Sequence, residues 1–150
     1  MMYAQRFIAA GALVGALVFS MAVSAIDVQE VKTRDGITAY LAQDDSNPII
    51  AFSFEFRGGS SIDPADKLGL SAMAAGLLDE GAGDLDSFAF QSTLQDKAIR
   101  LSFSANTDSF SGSVTTIKAN ADEAFRLMAL ALSAPRFDEE PVERIRRQIL

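Results

Sequence analysis

Residues 99–115 read IRLSFSANTDSFSGSVT, a pattern that shows how part of this chain folds into a sheet. Apolar or small residues alternate with polar ones on both sides of a short polar segment. These residues are Ile99, Leu101, Phe103, Ala105, Phe110, Gly112 and Val114. Period-two alternation is typical of half-buried strands, and the turn residues Asn106, Thr107 and Asp108 favour a chain reversal. The stretch therefore predicts two antiparallel strands.

Further strand patterns lie upstream of this hairpin. Val28 and Val31 precede a turn at residues 34–36, after which Ile37, Ala39 and Leu41 alternate with their neighbours, and this arrangement predicts a second hairpin. A polar break at residues 44–48 then leads into a longer strand. One face of that strand carries Ile50, Phe52, Phe54 and Phe56. We expect this aromatic face to belong to the core.

Helical spacing of apolar residues predicts two helices between the upstream strands and the hairpin at 99–115. The first helix has an apolar face that ends before Gly81 and Gly83. This face consists of Leu70, Met73, Ala74, Leu77 and Leu78. The second helix is predicted to start at Asp84 or Asp86, with Phe88 and Leu94 facing inward.

Two more helices are predicted after the hairpin. Asn120 and Glu123 have the spacing of a capping box at the start of the third helix, and Pro135 closes it. Its predicted apolar stripe is Phe125, Met128, Ala129 and Leu132. Asp138 caps the fourth helix, whose apolar positions are Val142, Ile145 and Ile149.

The order of these elements predicts an α+β fold, with a mixed or antiparallel sheet and helices packed on one face. The amphipathic pattern of the last helix is still running at Leu150, so we expect the sequence to be a fragment of a longer chain. One domain is expected over residues 26–150, incomplete at its C-terminal end.

The first 25 residues have the features of a secretory signal peptide. Arg6 precedes an apolar stretch, and small residues lead up to Ala25, so cleavage is predicted between Ala25 and Ile26. We therefore expect a periplasmic protein that meets the membrane only through its export signal. The alternative is a retained membrane anchor, since about 17 apolar residues lie at the lower limit for spanning a bilayer.

Composition excludes several classes of function. The sequence has 20 acidic and 13 basic residues and a formal net charge of −7, so the phosphate backbones of nucleic acids would be repelled. It contains no cysteine and no histidine. A disulfide framework, thiol catalysis and a Ser-His-Asp triad are therefore excluded in this sequence.

Several short motifs occur in a fixed order along the chain. They are the turn Asp35-Gly36, the segment FRGGS at 56–60, the run GLSAMAAGLLDEG at 69–81, the hairpin at 98–114 and APRF at 134–137. In this order and spacing they resemble the N-terminal domain of the insulinase and pitrilysin (M16) family of zinc peptidases, which includes the mitochondrial processing peptidases. The resemblance implies the metallohydrolase fold of that family.

The resemblance also identifies where the family's zinc motif would lie. In active members the first helix reads G-x-x-H-x-x-E-H, which places two zinc-binding histidines and a general-base glutamate on one helical face. Ala72, Ala75 and Gly76 stand at these positions. We therefore expect no catalytic residue, metal ligand or cofactor in this chain. The family's remaining glutamate ligand would fall just past Leu150.

Two other kinds of site have a simpler structural explanation. The acids Asp79, Glu80, Asp84 and Asp86 could form a site for calcium or magnesium, but acids beside glycines at helix ends are usually caps and solvated turns. The glycine-rich segment 58–61 has no following lysine, so a phosphate-binding loop is not expected.

The leading functional prediction is a non-catalytic subunit of a periplasmic M16-type metallopeptidase. By resemblance, an active M16 subunit would be its partner and supply the zinc, while this chain would act as scaffold and contact extended peptide substrates. An edge strand could capture such peptides by strand addition. The alternatives are a stand-alone periplasmic binding or structural protein, and an active zinc peptidase whose motif lies in a missing C-terminal part.

Overall fold

A computed structural model describes residues 27–149 of the chain, which form two compact units divided after Asp44. The predicted signal peptide and its cleavage site between Ala25 and Ile26 lie outside the described residues. Among the described residues, no helix is long and apolar enough to cross a membrane.

The described part of the first unit is the predicted N-terminal hairpin. Strand β1 (Val28–Lys32) pairs antiparallel with β2 (Thr38–Ala42). The Thr33 amide donates to the Ile37 carbonyl at 2.8 Å, and the Ile37 amide donates to the Thr33 hydroxyl at 3.0 Å. Gly36 adopts a positive φ of 85°, a conformation that glycine reaches without strain. The hairpin predicted from the sequence is therefore present, with its turn between β1 and β2.

The second unit is built on a three-stranded antiparallel sheet of order β3-β5-β4. Its strands are β3 (Ile49–Arg57), β4 (Arg100–Ala105) and β5 (Ser109–Ile117). Gly112 lies opposite both Phe54 and Phe103 in the register. A Cβ at Gly112 would come within 2.5 Å of the Phe54 ring, so this strand position has room only for glycine.

Four helices accompany the sheet, and they confirm the predicted α+β class with an antiparallel sheet. They are α1 (Leu70–Leu77), α2 (Ser87–Asp96), α3 (Ala121–Ser133) and α4 (Glu139–Ile149). The core joins residues of β4 and β5 to the inner faces of α2 and α3. Its most completely buried large side chains are Phe90, Leu127 and Val114.

The inward face of α2 differs from the prediction. Phe88 is 82% exposed, whereas Phe90 is fully buried and Leu94 lies one turn further along the same face. The Asp86 carboxylate accepts a hydrogen bond from the Ala89 amide at 2.8 Å and so begins the helix at Ser87. Residues 88 and 90 point in nearly opposite directions on a helix, so only one can face the core.

The buried face of α3 is also shifted from the predicted stripe. Of the predicted residues only Met128 is buried; Ala129 is exposed, and so are Phe125 and Leu132, at 39% and 42%. The buried face consists of Ala124, Leu127, Met128 and Ala131. Two of these four residues are alanines. The predicted stripe is based mainly on large apolar residues and so does not include them.

The predicted capping box at the start of α3 is wrong. The Asn120 side chain makes no cap hydrogen bond and donates instead to the Lys97 carbonyl at 2.7 Å. The Glu123 carboxylate pairs with the Arg126 guanidinium at 2.8 Å. Both side chains therefore make other interactions in place of the capping hydrogen bonds.

The aromatic face of β3 belongs to the core only in part. Phe54 packs against the core, but Phe52 and Phe56 are 37% and 54% exposed. The rings contact one another and the neighbouring Phe110, whose centroid lies 5.2 Å from that of Phe56. Because β3 is an edge strand of this sheet, its outer rings are only partly covered: Phe52 contacts Phe125 of α3, with centroids 5.7 Å apart, and Phe56 is more exposed.

The start of α1 is held by a carboxylate from the preceding loop. Asp63 accepts hydrogen bonds from the Gly69 and Ser71 amides, each at 3.0 Å, and from the Ser71 hydroxyl. These bonds satisfy amides that have no partner within the helix. They also hold the pKa of Asp63 below its ordinary value of 3.8, with the Ser71 hydroxyl as the largest cause.

Replacing Phe90 with alanine should lower the free energy of unfolding by about 3–5 kcal/mol, because it removes a buried ring and leaves a cavity. The matched control is Phe88→Ala on the same helix, which should change it by about 0.5 kcal/mol or less because that ring is exposed. Denaturant unfolding measures both. Equal losses for the two variants would contradict the assignment of the buried face.

Asp63→Asn should destabilise the protein at neutral pH, since the amide retains one acceptor oxygen and no charge. A carboxylate with a lowered folded-state pKa stabilises the fold above its unfolded pKa, and this contribution is lost as the pH falls through the folded value. The difference between wild type and variant should therefore shrink below about pH 4. Unfolding measured at a series of pH values tests this, with Asp66→Asn in the same exposed loop as the control. A pH-independent difference would contradict the proposed cap.

Candidate functional site

Helix α1 brings the three motif positions together on one side, as the sequence predicts. Ala75 is 4% exposed, and Ala72 and Gly76 are half-buried. Positions separated by three and four residues are neighbours on a helix, so the geometry of the motif is retained. The three side chains carry no nitrogen, oxygen or sulfur atom, so they cannot bind zinc or accept a proton from water.

Helix α4 packs against this part of α1. A Cβ placed on Gly76 would lie 3.2 Å from the Cγ2 atom of Ile145, which is itself buried. The place where a second histidine would begin is thus already in contact with an isoleucine. Within residues 27–149, no group of three or more His, Cys, Asp or Glu side chains is arranged to hold a metal. The residues present do not fit the zinc that the fold family implies.

The acids beside the motif have structural partners. The Glu80 carboxylate pairs with the Arg144 guanidinium and accepts a hydrogen bond from the Ser87 hydroxyl at 2.7 Å. Asp86 caps α2, as described above. Burial raises the pKa of Asp79, which disfavours the charged form that a calcium or magnesium site needs. The arrangement supports caps and an ion pair over a cation site.

The glycine-rich segment 58–61 is joined to the turn of the β4–β5 hairpin. The amides of Gly58, Ser60 and Ser61 donate to carbonyls of that turn at 2.8–3.1 Å. A Cβ on buried Gly59 would come within 2.1 Å of the Asn106 carbonyl oxygen. These amides point at protein carbonyls, so they do not form a cradle for phosphate.

Strand β4 lies at an edge of the described sheet and packs against α1. The degenerate motif and a strand edge are therefore adjacent in this unit. An edge strand can add an extended peptide through backbone hydrogen bonds without any metal. The described sheet has two edge strands, β3 and β4, and β4 is the edge beside α1.

Sequence reasoning missed the residues that surround the motif from other elements. The Glu140–Arg144 pair, 3.4 Å apart, has the spacing of a helical ion pair and could have been found. The Glu80–Arg144 pair spans 64 residues, and the Gly76–Ile145 contact is equally remote. No local pattern indicates either of them.

No protein-family model matches the sequence. The chain is 32% identical, over 95 residues, to a protein of Helicobacter pylori described as the non-peptidase homolog YmxG; the match covers 63% of this chain and 22% of that protein.

Two solved structures share the fold. A peptidase M16 inactive domain from Pseudomonas fluorescens matches with a TM-score of 0.75 and 23% identity over 83% of this chain and 31% of its own. A protease from Helicobacter pylori matches with a TM-score of 0.68 and 17% identity over 83% of this chain and 30% of its own. The matches thus span about a fifth to a third of these proteins. The chain therefore has the fold of a peptidase M16 inactive domain and is similar in sequence to a protein described as a non-peptidase homolog.

Proposed function

We propose that this chain is a non-catalytic subunit of an M16-type peptidase. The observation that carries the proposal is the motif helix, on which Ala72, Ala75 and Gly76 occupy the positions of the two histidines and the glutamate. Without ligands there is no zinc to lower the pKa of water from about 15.7 to about 7, and without a general base no side chain to take its proton. The similarity to a non-peptidase homolog supports the same conclusion.

The proposed partner is an active, zinc-bearing M16 subunit. This chain would keep the shape of the peptidase domain while the partner supplies the metal, the activated water and the cleavage of extended peptides. The described fold supports this division, because its core is buried while the three motif positions carry neither a metal ligand nor a base. A domain maintained in this way can serve as a wall of a shared substrate chamber.

The proposed contribution to substrate binding is made by the backbone. Strand β4 offers a sheet edge next to α1, and an extended peptide could pair with it by strand addition. Binding of this kind depends on main-chain hydrogen bonds, so it tolerates the loss of every catalytic side chain. We propose extended peptides as the class of ligand.

Export to the periplasm is part of the proposal and rests on the sequence of the first 25 residues. A basic start, an apolar middle and small residues before Ile26 are the features that signal peptidase requires. The acidic composition fits a soluble surface and gives no support to nucleic-acid binding.

The first prediction from this proposal concerns activity and metal content. The full-length mature protein alone should hold no stoichiometric zinc and should not cleave peptides, because α1 offers no ligand. Mixed with a histidine-bearing M16 relative from the same cell, it should cause activity to appear or to rise strongly. Peptide hydrolysis and elemental analysis measure the two quantities.

The control for this experiment is the same relative with one motif histidine replaced by alanine, which should abolish activity in the mixture. Activity or stoichiometric zinc in the isolated protein would overturn the proposal. If the mixture also shows no peptide hydrolysis, an independent role in peptide binding or structure would be favoured.

The second prediction concerns export. The mature protein recovered from the periplasmic fraction should begin at Ile26, because cleavage follows the small residue Ala25. Mass spectrometry of the N-terminal peptide gives the answer. As a control, replacing Ala25 with a large residue such as tyrosine should leave the precursor uncleaved. A mature protein that still begins at Met1 would indicate a retained anchor.

A further inference from the structure

Helix α1 is too short to be stable without its neighbours. It has eight residues, and isolated helices shorter than about 12–15 residues are marginal in water. Its position therefore depends on tertiary contacts. Asp63 holds its start, and α4 contacts its second half and the turn that follows.

The first of the α4 contacts is apolar and close. Gly76 lies close to Ile145, since a Cβ would lie 3.2 Å from Cγ2 and 3.9 Å from Cδ1 of the isoleucine. The shorter distance is tighter than an ordinary van der Waals contact, so a side chain at position 76 requires Ile145 or its helix to shift.

The second contact is an ion pair one turn further along. The Glu80 side chain is 14% exposed and the Arg144 side chain 35% exposed, so the glutamate depends on its partners for solvation. Those partners are the Arg144 guanidinium and the Ser87 hydroxyl. Arg144 is further held by Glu140 on its own helix. Removing one member of a largely buried pair leaves an uncompensated charge.

We propose that the Gly76–Ile145 contact and the Glu80–Arg144 pair together form a metal-free clamp, which fixes α1 against α4 and closes the position of the absent zinc site. The proposal rests on the non-catalytic function argued above and extends it. The two contacts are linked, because Arg144 and Ile145 are adjacent on α4 and contact the turn after α1 and the second half of α1, respectively.

The clamp predicts that a histidine introduced at position 76 meets Ile145 at its Cβ, so the isoleucine must shift to admit it. Together with the packing of β4 on α1, the contacts of Arg144 and Ile145 hold this part of the chain without a metal.

Thermal unfolding of the full-length protein tests the charged part of the clamp. Glu80→Gln and Arg144→Met should each lower Tm by about 5 °C. The Tm of the double variant should be no lower than that of the less stable single variant. Adding a chelator should not change Tm of the wild type. Strictly additive losses, or a wild type whose Tm falls with chelator, would overturn the clamp.

A second cycle tests the apolar part. Gly76→His should lower Tm in the wild-type background but have a much smaller effect, or none, in an Ile145→Ala background. Ile149→Ala, at an exposed position one turn along α4, is the matched background that should give no such relief. An equal effect of Gly76→His in all three backgrounds would show that Ile145 does not close this position.

These measurements separate the clamp from the proposed function. Additive losses with a zinc-free, inactive protein would remove the clamp and leave the non-catalytic role intact. Stoichiometric zinc or peptide cleavage by the isolated protein would remove the non-catalytic role, whatever the stability cycles show.

Discussion

Burial of the inner faces of α2 and α3 against the β4–β5 hairpin is the interaction on which the second unit depends. Phe90, Leu127 and Val114 are fully buried there and supply apolar area removed from water, which is the main favourable term in folding. The hairpin placed by this core offers β4 to α1. The short helix α1 is therefore placed against this hairpin through β4, and it adds the buried side chains of Ala75 and Leu77.

The position of α1 does not depend on metal-binding side chains. Ala75 is nearly fully buried and Gly76 allows close approach to α4, so small residues at the motif positions contribute packing. The acids nearby also have structural partners, since Glu80 pairs with an arginine and Asp86 caps a helix.

The sequence was sufficient for elements formed by local patterns. Both hairpins, the long strand β3 and all four helices occur where alternation or helical spacing predicts them. The errors concern the orientation of helices and the partners of polar groups. Phe88 and Leu94 are six residues apart and do not share a helical face, whereas Phe90 and Leu94 are four apart and do. Asn120 fits a capping box by spacing, but the Lys97 carbonyl, 23 residues away, takes its side chain.

For the candidate site, the sequence by itself determined which chemistry is absent, because no fold can create an imidazole or a thiol that the chain does not contain. It also determined the spacing of Ala72, Ala75 and Gly76 on one helical face, which follows from helix periodicity. Only the tertiary structure decided that Ile145 lies against Gly76 and that Glu80 pairs with Arg144. These contacts join residues more than 60 positions apart, and their existence depends on how α1 and α4 pack, which no local pattern encodes.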